Sequence, residues 1–216
     1  MAQIERRLRQ DHQRAGGVIR FYCLDAPAKM TGDMLLPDGA DLRLWRPRED
    51  GFPPPRSRTF KNIIWWLFCR LGIFERSDFI ELTIWLHGKL AHRLVVTPRW
   101  WRFPFMAPQD LQIGDLWTEP AIRGCGFAHC AIAAAHRGVL SCAPRAWYVT
   151  DEANIESARL AESCGYTLVG TGTRTAPLGL RALGRFRLTH KAASDEPGSR
   201  TESRPIGRRA GRLPAG

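Results

Sequence analysis

No two of the six cysteines, Cys23, Cys69, Cys125, Cys130, Cys142 and Cys164, stand at C-x-x-C spacing, and their intervals follow no repeat. That argues against a zinc site and against a disulfide framework, so no metal is expected and the thiols read as reduced and mostly buried. Long apolar runs are also missing. The fullest one, Thr59 to Phe74, is shorter than the roughly twenty residues that a bilayer span requires. Behind Arg6, Arg7, Arg9, Arg14 and Arg20 there is no apolar stretch of the kind that makes a secretory signal, and a mitochondrial-type presequence is equally unconvincing, so a cytoplasmic product is expected. Negative charge is scarce as well: 21 Asp and Glu against 32 Lys and Arg leave a net charge of +11. Nine of the cations fall between Arg56 and Arg102 against three acids, around an aromatic-rich segment, yet no nucleic-acid fold signature accompanies them.

What is present suffices for one domain: 216 residues, 44% of them hydrophobic. Alternating apolar patterns predict strands at 17–24, Ala40 to Trp45, Asp78 to Leu86 and Lys89 to Thr97, the last two joined by His87-Gly88 as a hairpin. Further strands are predicted at Asp110 to Thr118, Arg145 to Thr150, Tyr166 to Thr171 and Gly184 to Thr189. Helices are predicted over Thr59 to Phe74, after Ala128, and from Asn154 to Cys164, the last stopped by Gly165. The Trp65-Trp66 helix reads as a core helix, with a place in a membrane interface as its rival. The aromatic run Arg99 to Met106 either walls a pocket or completes the core. His129 and His136 read as surface positions on the Ala-rich helix. A single domain is expected over 1–191, with a disordered basic tail over 192–216.

The most informative stretch is Asp115 to Gly138. A strand ends at Thr118, Pro120 breaks it, Arg123-Gly124-Cys125-Gly126-Phe127-Ala128 turns, and an Ala-rich helix follows. Glycines let the backbone approach a ligand, and the amides opening a helix point outward with the positive end of its dipole behind them. A pyrophosphate suits that place.

Arg123-x-x-Gly126-x-Ala128, with Asn154-x-x-Ser157-x-x-Leu160 and Cys164-Gly165-Tyr166 about thirty residues on, resembles the two motifs of the GNAT N-acetyltransferases. The resemblance covers 110–172. It implies an α/β (α+β) fold with a mixed, mostly antiparallel sheet of about seven strands, splayed at strands 4 and 5, here Leu111 to Thr118 and Arg145 to Thr150. It implies acetyl-CoA as cosubstrate: backbone of Leu116, Trp117 and Thr118 beside the pantetheine, amides of Arg123, Gly124, Cys125, Gly126, Phe127 and Ala128 on the pyrophosphate, Asn154 on the cofactor arm, and Ser157 near the departing sulfur. The family's base and acid are not where the resemblance would put them, because those positions hold Gln112, Gly114 and Ala161. The candidate bases are therefore His92 first, then Asp115, Glu81 and His87.

The segment His92 to Pro98 with Arg102 to Met106 and Asp110 to Thr118 is similar to acetyltransferase-like proteins of bacterial surface-polysaccharide assembly, which implies an amino-sugar acceptor, often nucleotide-linked. The expected activity is direct acetyl transfer to a small primary amine by a monomer or homodimer with no specific nucleic-acid partner. Two rivals stand beside it: an inactive coenzyme A binder of the same fold, and a basic adaptor for membrane surfaces or nucleic acid. Replacing Gly126 with Val is expected to abolish cofactor binding and leave the fold largely intact.

Overall fold

The computed structural model describes residues 17–25, 36–53, 60–74, 79–177 and 184–190. The expected tail at 192–216 and parts of the expected domain 1–191 lie outside the described residues. Eight strands form one sheet: β1 Ile19–Asp25, β2 Ala40–Trp45, β3 Ile80–Leu86, β4 Lys89–Pro98, β5 Leu111–Thr118, β6 Arg145–Asp151, β7 Thr167–Arg174 and β8 Phe186–His190. Three α-helices are described with them: α1 Phe60–Arg70, α2 Phe127–Arg137 and α3 Ile155–Ser163. The fold class is the expected one, α+β with a mixed, mostly antiparallel sheet, and its eight strands lie close to the eight segments predicted from the sequence, against the about seven that the resemblance implied.

The sheet runs in the order β2-β3-β4-β5-β6-β1-β7-β8, and every neighbouring pair is antiparallel except β5 and β6. β1 inserts between β6 and β7 in the interior of the sheet. Its sequence explains this, because neither Phe21 nor Tyr22 is exposed, one packing into each of the two cores. A strand covered on both faces carries apolar side chains at successive positions. At the other end, His87 (φ 49°) and Gly88 (φ 76°) make the tight left-handed turn of the β3–β4 hairpin.

The two cores lie on opposite faces. Leu94 and Val96 join Leu111, Ile113, Ala146 and Tyr148 under α2 and α3, while Val95 and Trp147 join the aromatic core under α1. Ala131 and Ala135 allow α2 a close approach to the sheet, and they are buried there. On the α1 side, Trp65 meets Phe74, Phe79 and Trp100 with ring centroids about 6 Å apart. Trp100, Phe103 and Met106 are buried, so the Arg99–Met106 run completes this core.

Two surface expectations need correction. His136 is buried and hydrogen-bonds the Tyr166 hydroxyl at 2.9 Å, because its face of α2 turns toward the chain that follows α3. The thiols divide evenly, with Cys130 and Cys164 buried, Cys23 and Cys69 half-buried, and Cys125 and Cys142 exposed, since the last two stand in turns at either end of α2.

Candidate functional site

The parallel strands β5 and β6 stay together for only three residues: Leu111, Gln112 and Ile113 face Ala146, Trp147 and Tyr148. Beyond Ile113 they part. β6 continues to Asp151 held by β1, and β5 continues to Thr118 held by β4. These are the fourth and fifth positions of the sheet counted from β2, where the splay was expected. A bulge bends β5 at this point: Val95 faces Gly114 and Arg93 faces Trp117, so Asp115 and Leu116 share one partner, and Asp115 adopts a left-handed φ of 48°. Leu116, Trp117 and Thr118 thus lie on a strand edge that β6 has left.

At the end of that edge the turn begins. Pro120–Ile122 makes a short 3-10 turn, and the Arg123 Nε donates to the Thr118 carbonyl at 3.3 Å, tying the turn to the strand. Gly124 (φ 83°) and Gly126 (φ 82°) are both left-handed, and Gly126 is the N-cap of α2. A Cβ at either position would meet no protein atom within 4 Å, so both face open space. The cap has no side-chain hydrogen bond; Cys125 N–H reaches the Ile122 carbonyl at 3.4 Å and Cys130 N–H the Gly126 carbonyl at 3.0 Å. Among the described residues, the N–H groups of Gly124, Gly126, Phe127 and Ala128 have no acceptor in the protein. Free donors at the positive end of a helix suit an anion such as a diphosphate, and neither glycine brings a side chain to obstruct it.

α3 flanks the opening from the β6 side. Asn154 caps it, its Oδ1 accepting from Ser157 N–H at 3.1 Å. Ser157 Oγ lies 2.8 Å from the Tyr148 hydroxyl. Tyr148 stands at the last position of β6 paired with β5, wholly buried, with its pKa pushed up to about 12 by that burial while the Ser157 hydrogen bond acts the other way. Sequence reasoning missed this Tyr148–Ser157 pair. Its only signal was a tyrosine at an inward position of the Arg145–Thr150 strand.

The four candidate bases separate. His92 faces Thr118 across β4 and β5 and its Nδ1 lies 2.8 Å from the Thr118 Oγ1. It is fully buried, Nε2 has no hydrogen-bond partner, and burial first and the Arg93 charge second lower its pKa to about 4. His92 is therefore a neutral imidazole that holds the end of β5. Asp115 sits on the bulge, with its side chain 24% exposed, and accepts from Arg93 Nη2 at 3.1 Å. Glu81 is buried on the same network, accepting from Asn62 of α1 at 2.7 Å and lying 3.8 Å from Arg93 Nε. Its carboxyl is pushed up by burial, against the opposing effects of Asn62 and Arg93. His87 stands in the β3–β4 turn, away from this group. Gln112 is nearly buried beside Gly114, and its Oε1 has no partner. No cluster of three metal-ligating side chains occurs among the described residues.

No family model and no curated protein matches the chain. Solved structures similar to it include a tandem GNAT protein from the clavulanic acid biosynthesis pathway, at 13% identity and a TM-score of 0.48 over 71% of this chain and 50% of that one. A GCN5-related N-acetyltransferase-like protein from Streptococcus suis is 16% identical with a TM-score of 0.44, over 75% and 64% of the two chains. An aminoglycoside N-acetyltransferase in complex with CoA is 14% identical with a TM-score of 0.43, over 59% of this chain and 91% of its own. The chain spans half to just under two thirds of the length of the first two.

Proposed function

We propose that this protein is a GNAT-type N-acetyltransferase that moves the acetyl group of acetyl-CoA to a primary amine of a small acceptor by direct transfer. The observation that carries the reading is the set of four unaccepted amides, at Gly124, Gly126, Phe127 and Ala128, beside the gap between β5 and β6. Bound there, acetyl-CoA supplies the activated acyl thioester and a thiolate leaving group. The chain's own part is to hold both substrates and to handle protons. The unpaired edge of β5 from Leu116 to Thr118 offers backbone donors to the carbonyl that gains charge during transfer. Asp115, partly exposed at the bulge, orients the acceptor ammonium and takes its proton. His92 acts at one remove, by fixing Thr118. Ser157, with Tyr148 behind it, donates toward the sulfur. The similarity of segments within 92–118 to polysaccharide-assembly proteins supports an amino sugar as the acceptor.

A second reading, coenzyme A binding without transfer, is favoured by one observation: the two candidate bases beside the gap are tied up, His92 by burial and Asp115 by Arg93. Thiol release from acetyl-CoA across a panel of amines and amino sugars separates the two. Turnover that falls about a hundredfold in Asp115→Asn, with acetyl-CoA affinity unchanged, supports transfer with Asp115 as base. Binding with no turnover on any amine supports the second reading.

A further inference from the structure

α1 is anchored by one face only. Asn62, on the inward side, is buried against Glu81, and Trp65 and Phe68 pack into the aromatic core. On the opposite side Phe60, Ile64, Leu67 and Leu71 follow one another at i, i+4, i+7 and i+11, the spacing of a single helical stripe, the last residue just past the helix with its N–H on the Leu67 carbonyl. Phe60 is 77% exposed, Leu67 43% and Leu71 65%, and Phe52, whose ring meets Trp66 edge-on at 5.1 Å, is exposed beside them. Residues 51–74 hold four cations, Arg56, Arg58, Lys61 and Arg70, and no carboxylate. Arg70 lies over the Trp66 ring at 6.0 Å.

We propose that this stripe seats the protein on an anionic lipid surface. The helix is 11 residues long and no described helix is long and apolar enough to cross a membrane, so it lies in the interface plane. Leucine and phenylalanine enter the acyl boundary, the Trp66 ring sits at its edge, and Arg70 beside that ring meets lipid phosphates and carboxylates. One sign of charge throughout 51–74 weighs against a second copy, which would bring like charges together. An exposed apolar stripe weighs against nucleic acid, whose backbone rewards cations alone. α2 and the amides at its start lie on the other face of the sheet, so docking leaves them in water.

The test is sedimentation of the full chain with phosphatidylserine–phosphatidylcholine vesicles and with phosphatidylcholine vesicles, at low and high salt. The expected result is pelleting with the serine lipid only, weakened by salt, and reduced about tenfold or more in Leu67→Glu, a change at an exposed position whose folding circular dichroism verifies. No pelleting, equal pelleting with both lipids, or pelleting indifferent to Leu67→Glu overturns the proposal. So does a concentration-dependent dimer that Leu67→Glu dissolves in a protein that ignores vesicles. Acetyl-CoA binding is read separately and survives any of these outcomes.

Discussion

Gly126 carries two demands at once, a left-handed φ of 82° and open space where a Cβ would stand. Valine there strains the backbone by on the order of 1–2 kcal/mol as well as filling the space, a modest cost in stability beside the loss expected at the site. The expected result for Gly126→Val is a melting temperature lowered by a few degrees and acetyl-CoA affinity lowered more than tenfold in calorimetry; unchanged affinity contradicts the site. The buried histidines give a second residue-scale prediction. His92 and His136 are both held down to about 4 by burial, whereas an unfolded histidine titrates near 6.5. As pH falls the unfolded chain takes up these protons first, so stability present above about 6.5 is lost progressively down to about 4, by up to about 1.4 kcal/mol per pH unit for each. Glu81 has the opposite sign, since its raised carboxyl keeps a proton longer in the folded state and gives stability that fades as pH rises through its folded value. Urea midpoints measured from pH 7 to 4 should fall, and His136→Gln should flatten the fall; equal slopes in the two proteins would refute the assignment. None of this was legible in the sequence, where His136 was one more histidine on an Ala-rich helix. Its burial depends on Tyr166, thirty positions away.

Elements were easier to read than their neighbours. Strand patterns at Ala40–Trp45 and Arg145–Thr150 and the hairpin at His87-Gly88 predicted the observed strands within a residue or two, because alternation and turn chemistry are local. The insertion of β1 between β6 and β7 was not readable, since its partners lie more than a hundred residues away and nothing in Ile19–Asp25 names them. Its burial on both faces constrains the next strand, β7. A Cβ on Gly172 would collide with the Arg187 carbonyl of β8 and lie 2.8 Å from the Phe21 ring of β1. Gly172→Ala is expected to cost about 2 kcal/mol in denaturant unfolding while the proposed cofactor site, at β5 and β6 and separated from β7 by β1, keeps its affinity; unaltered stability would contradict the packing of β7. The α3 cap gives a smaller effect, with Asn154→Ala costing about 1 kcal/mol through the lost bond to Ser157 N–H.

At the scale of the molecule, one sheet separates two kinds of surface. The glycine turn and the starts of α2 and α3 gather where β5 and β6 part, on the face of the Leu94–Tyr148 core, while α1 and the aromatic run close the other face. The motif spacing made the first legible, since a turn of glycines before a helix is a local pattern with a local purpose. Asp115 and Glu81 were named from the sequence singly, but their joining through Arg93 and Asn62 was not legible, because the four residues come from three strands and a helix. Amide spectra of the ¹⁵N-labelled protein titrated with coenzyme A address the central claim most directly. The account predicts that the N–H resonances of Gly124, Gly126, Phe127 and Ala128 move first and furthest, as their protons gain phosphate acceptors. Saturating coenzyme A that leaves these four resonances in place, or that shifts a different set of amides instead, would contradict it.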